Sequence, residues 1–106
     1  MSTESQSEPF WETAEPLMAE GILEEGTIMG GRCVRTTVGE FVGMPNHEGP
    51  GLVVKLSRDR VDELIGAGRG QSFAPAGKVF KEWVLVEDHD AEEWDALLRE
   101  SVAFVS

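Results

Sequence analysis

The residues from Gly26 to Ser57 leave this chain few folds to choose from. They read Gly26-Thr-Ile-Met-Gly-Gly-Arg-Cys-Val-Arg-Thr-Thr, then Gly39-Glu-Phe-Val-Gly-Met-Pro, then Gly51-Leu-Val-Val-Lys-Leu-Ser. Short runs of apolar and β-branched residues are cut by Gly and Pro, which is the pattern of consecutive strands joined by tight turns. The pattern predicts strands over 27–37, 40–44 and 52–56. Gly30-Gly31 inside the first suggests a bulge or a close backbone approach. Pro45 ends the second, and residues 46–51 form a loop by composition.

The flanks read as helix before, and helix, hairpin, helix after. Ser7 can cap a first helix with Pro9 in its first turn. Phe10, Trp11, Ala14, Leu17 and Met18 fall on an apolar stripe at helical spacing, Pro16 should kink or split it, and Gly21 is a natural stop. Ser57 is a good N-cap for a second helix, with Val61, Leu64 and Ile65 on its buried side. Residues 73–79 read as a hairpin tip leading into a strand over 79–86. Asp90, with Glu93 three residues on, has capping-box spacing for a third helix carrying Trp94, Leu97, Leu98, Val102 and Val105. The expected element order is α-β-β-β-α-β-β-α, a mixture of helices and strands of the α+β class. Residues 1–8 are expected to be a flexible tail, and 9–106 a single domain.

One pattern is unusual. A sheet covered on one side should alternate apolar with polar residues. Here Leu52, Val54 and Leu56 share one face, yet the positions between and around them include Val53, Val42, Met44, Val84 and Val86. Three helices are too few to cover both faces. The second face is therefore expected to be a partner surface, built on Val42, Val53, Val84 and Val86, or the lining of a curved pocket.

Charge narrows the function classes. The chain has 20 acids against 9 Lys and Arg, a net charge of −11. Phosphate neutralisation needs Lys and Arg, so nucleic acid is disfavoured as a partner. The charge is uneven: residues 26–81 hold eight of the nine basic groups and only five acids, while both ends are strongly acidic. Arg35, Lys55 and Lys81 in this basic middle are candidates to hold an anionic ligand, and alternation puts Lys55 on the Val53 side of its strand. No apolar run approaches the ~18 residues of a membrane span, and the first residues lack a secretory pattern. With one cysteine no internal disulfide can form, so a cytoplasmic setting is expected.

Catalytic and metal chemistry find little footing. Cys33 has Arg35 on its strand face, which could lower a thiol pKa, but no base is in reach by sequence; a small apolar strand residue is the simpler reading. His47 and His89 share no ligand spacing with Cys33, so no metal or cofactor is expected. Gly66-Ala-Gly-Arg-Gly ends a helix, where phosphate binding needs the start of one. Trp11, Trp83 and Trp94 each fall in an apolar pattern and read as core.

Four segments carry a family resemblance: Gly26-Thr-Ile-Met-Gly-Gly-Arg-Cys-Val-Arg, Gly39-Glu-Phe-Val, Gly51-Leu-Val-Val-Lys-Leu and Gly77-Lys-Val-Phe-Lys-Glu-Trp-Val. With the Trp94 helix they span about residues 10–105, and their order resembles the TfoX N-terminal domain family, with YjbR-type proteins close in architecture. The resemblance implies a two-layer α+β fold with an antiparallel sheet, similar to secretion-chaperone-like domains. It implies no catalytic residues. The family is named for regulators of natural competence, which carry a second, helical domain beyond the module compared here. The expectation is a small non-catalytic binding or regulatory domain that pairs as a homodimer or meets another protein. The alternative is an anionic small-molecule binder, or a weak enzyme, using Arg35, Lys55 and Lys81.

Overall fold

The computed structural model describes residues 3–28, 31–46, 50–74 and 77–106. Three helices and six strands follow one another as α1 (Thr3–Ala19), β1 (Glu24–Ile28), β2 (Gly31–Arg35), β3 (Phe41–Pro45), β4 (Leu52–Lys55), α2 (Arg58–Gly66), β5 (Gln71–Phe73), β6 (Phe80–Val86) and α3 (Ala91–Val105). The strands make one sheet in the order β1-β2-β3-β4-β6-β5, with every neighbouring pair antiparallel. The fold is α+β, as the strand and helix patterns require. His47 and the hairpin-tip Pro75 lie outside the described residues.

One extra strand separates this order from the expected one. The single strand expected over 27–37 is two, because β1 and β2 pair from Glu24↔Arg35 to Ile28↔Gly31. Of the two glycines read as a bulge, Gly31 is the first residue of β2 and pairs with Ile28, and Gly30 lies outside the described residues. The first helix also differs. It begins at Thr3, within the segment read as a tail, and it runs unbroken past Pro9 and Pro16. Pro16 is tolerated because it is exposed and the carbonyl its missing N–H would have met belongs to exposed Glu12, where water is available.

Helix ends follow their local chemistry. After α1 the Ile22 N–H donates to the Leu17 carbonyl and the Gly21 N–H to that of Met18, with Gly21 at φ 78°. After α2 the Arg69 and Gly68 N–H groups repeat this with Leu64 and Ile65, with Gly68 at φ 73°. This paired closure satisfies the last carbonyls and needs a residue that tolerates the left-handed region. Ser57 and Asp90 cap α2 and α3 by accepting from the N–H groups of Arg60 and Glu93.

All three helices contribute to the core on one face of the sheet. Phe10, Ala14 and Leu17 from α1, Val61 and Leu64 from α2, and Trp94, Leu97 and Leu98 from α3 bury against Val34, Val42, Leu52, Val54, Leu56, Val84 and Val86. Trp94 is inside as its pattern predicts, and its indole N–H donates to the Asp88 carbonyl. This corrects the expected membership of the other face. Val84 and Val86 pair with Val54 and Leu52, so they point beneath the helices.

Val42 joins them for a different reason. In the β2–β3 ladder Val34 faces Gly43 and Arg35 faces Phe41, leaving Val42 as an extra residue on β3. This bulge breaks the two-residue alternation, so Val42 turns inward while Phe41 and Met44 face the other way. The Ser101 hydroxyl of α3, fully buried, donates to the Val42 carbonyl at 3.2 Å, which settles a polar group the bulge would otherwise strand.

Candidate functional site

The face without helices carries a second, smaller core. Cys33, Met44 and Val53 are buried there, packed against Ile28, Phe41, Phe73, Trp83 and Leu85. Val53 is 0% exposed with no helix above it. The cover is the sheet itself. Ile28 ends β1 and Trp83 lies on β6, with β2, β3 and β4 between them. On a flat sheet four strand spacings would separate them by roughly 19 Å. Yet Ile28 and Trp83 line one cleft of about 420 Å³ with Val79, Phe80, Lys81 and Glu82. The sheet therefore coils strongly, closing its free face into a trough.

Aromatic rings fill the floor and one wall. Phe41 stacks on Trp83 with centroids 4.4 Å apart, and Phe73 stacks beside Trp83 at 5.5 Å. Phe80 meets Trp83 edge-on at 5.0 Å and Phe73 at 5.8 Å. Strict alternation would send Phe80 to the opposite face from Trp83. The β5–β6 ladder slips between Ser72 and Phe73, from Ser72↔Val84 to Phe73↔Phe80, and this irregularity brings the ring round. Each such ring pair adds about 0.5–1.5 kcal/mol beyond the area it buries, so the cluster holds itself together without a helix.

The basic groups of the chain divide into those with a carboxylate partner and those without. Arg35 faces Phe41 across the β2–β3 ladder, but its guanidinium lies along the open space beside Gly26 and pairs with Glu24 at 2.9 Å. Arg32, Arg60, Arg69 and Arg99 likewise have carboxylate partners. The lysines do not. Lys55 is the cross-strand partner of Trp83, Lys81 lines the cleft, and the Lys78 ammonium sits 5.8 Å from the Phe80 ring centre. These are all the lysines of the chain, and among the described residues none has an acid within ion-pair distance. Glu82 is the acid nearest them in sequence. Its carbonyl accepts from the N–H of Leu56, a helix-side residue, so its side chain starts from the opposite face to that of Lys81.

Of the candidate residues, Arg35, Lys55, Lys81 and Val53 thus share the free face, while Val42, Val84 and Val86 lie under the helices. A surface formed by the four valines together does not exist. Ile28, Phe41, Phe73 and Phe80 are the site residues that sequence reasoning missed. Phe41 carried a usable signal, since it opens the apolar run of β3, but the bulge that aims it and the ladder slip at Phe73 leave no mark in the pattern.

Cys33 faces the same trough but lies beneath its surface. Burial pushes its thiol pKa up, and the nearby Arg35 guanidinium only partly opposes that. It is held as a thiol and is a weak nucleophile. His89 is exposed and packs edge-on against Trp94 at 4.8 Å, remote from Cys33 in the fold. Among the described residues no three His, Cys, Asp or Glu side chains converge as metal ligands would, and no helix is long and apolar enough to cross a membrane. Compared with protein-family models, curated proteins and solved structures, the chain finds no match in any of the three.

Proposed function

We propose that this chain is a non-catalytic binding module of the TfoX N-terminal type that holds its ligand in the trough on the free face of the sheet. One observation carries the reading: the sheet coils far enough for Ile28 on β1 and Phe80, Lys81 and Trp83 on β6 to line one cleft of about 420 Å³. Small-molecule sites are of this size, mostly apolar, with a few polar groups at the border. The resemblance to a family without agreed catalytic residues fits a binding role, as does the protonated, buried Cys33.

Self-association is the second use the same face supports, because Val79 at the lip of the cleft is 51% exposed and a second copy could cover it. Native mass spectrometry of the gently purified chain tests the reading. The expected result is a species heavier than the bare chain, by a small molecule or by a second copy. A bare monomer at every concentration, with no thermal shift from a panel of aromatic and anionic metabolites, would overturn it.

A further inference from the structure

Resting on that reading, we infer that the ligand of the trough is a planar aromatic ring bearing an anionic group, a phosphate or a carboxylate. Two independent features meet at the cleft. The first is the ring wall. Phe41, Trp83 and Phe73 already stack in a row, and Phe80 stands at its end beside the cleft. A flat ligand ring entering between Ile28 and this wall continues the packing and removes apolar surface from water on both of its faces.

The second is the charge. The chain carries −11 overall, so any cation has many acids to choose from. Five of the six arginines have carboxylate partners, whereas Arg58 and the three lysines near the aromatic cluster have none among the described residues. A phosphate or carboxylate held by an ammonium at the border of a low-dielectric cleft makes a charge-assisted hydrogen bond, stronger than a neutral one. Lysine acts there as a point charge at the end of a flexible stem, which suits an anion whose exact position the ring sets. The surrounding acidic ends repel an anion at long range, so affinity has to come from ring and charge together. A free inorganic anion lacks the ring contribution, and an uncharged ring lacks the lysines.

Calorimetric titration with four probes reads this directly: adenosine monophosphate, adenosine, inorganic phosphate and, as the carboxylate counterpart, indole-3-acetate. Adenosine monophosphate and indole-3-acetate are expected to bind, adenosine at least tenfold more weakly, and phosphate not measurably. The double substitution Lys55→Gln and Lys81→Gln keeps an unbranched polar side chain at half-buried Lys55 and exposed Lys81 while removing the charge, with retention of the fold checked by thermal unfolding. It is expected to weaken adenosine monophosphate about tenfold, roughly 1.4 kcal/mol, and to leave adenosine unchanged. Equal binding of adenosine and its monophosphate would overturn the role of the lysines. Phosphate binding as well as the nucleotide would overturn that of the rings. If no aromatic anion binds yet native mass spectrometry shows a dimer or another bound mass, the ligand class is wrong and the binding face stands. A bare monomer that binds none of the probes rejects both.

Discussion

Gly43 shows how tightly one residue can be specified. A methyl group there would come within 2.9 Å of the Val53 carbonyl oxygen and 3.2 Å of the Leu98 Cδ2. Neither β3–β4 pairing nor the α3 packing can yield cheaply, so Gly43→Ala is expected to destabilise the fold by about 1–3 kcal/mol, measured by urea unfolding. The neighbouring bulge has its own lock. Ser101→Ala removes the hydroxyl that bonds the Val42 carbonyl and should cost about 1–2 kcal/mol by the same measurement. Cys33 gives a pH prediction. Its folded-state pKa is raised by burial, so the unfolded chain loses this proton first as pH rises. The contribution to stability is full below the unfolded thiol pKa and is lost progressively above it, up to the folded value. Equilibrium unfolding from pH 7 to 10 should show a falling stability that Cys33→Ala flattens. At this scale the sequence was readable where alternation holds: Lys55 and Val53 sit together on the free face as spacing says. It was unreadable at Val42, because one inserted residue turns a strand's side chains over and composition does not record it.

Elements were more legible than residues. Ser57 and Asp90 cap the helices their positions announced, and both Gly21 and Gly68 close helices with left-handed geometry. Asp90→Ala should cost about 1 kcal/mol in unfolding experiments, since an orphan N–H at the start of α3 loses its acceptor. The division of the first expected strand into β1 and β2 was missed for a physical reason. A run of apolar and β-branched residues with two glycines serves equally as one bulged strand or as two strands reversing at the glycines, and only the pairing partner decides. The extension of α1 back to Thr3 was missed because Ser, Glu and Gln give no apolar stripe, so nothing in that segment marks a face. The doubled apolar pattern was the informative signal. It reported that both sides of the sheet are buried in part, and the choice between a partner surface and a curved pocket depended on coiling that no single strand encodes.

At the scale of the whole molecule the sheet does two jobs. Its helix side holds the main core. Its free side is coiled into a trough whose floor is buried by the chain's own rings. Charge acts at this scale too. The ion pairs among the described residues lie at the surface, each with at least one partner exposed or half-exposed, and contribute little each, while a net charge of −11 on 106 residues repels itself. Added salt should therefore raise the melting temperature rather than lower it, as self-repulsion is screened within a Debye length of about 8 Å near physiological ionic strength; differential scanning calorimetry across a salt series reads the sign. The most direct test of the trough is the indole N–H resonance of Trp83 in two-dimensional NMR, followed during titration with adenosine monophosphate beside those of Trp11 and Trp94. Binding in the cleft predicts a saturable shift of Trp83 with Trp94, buried under the helices, unmoved. Saturable shifts at Trp11 or Trp94 with Trp83 unchanged would place the ligand elsewhere and contradict a binding site on the free face.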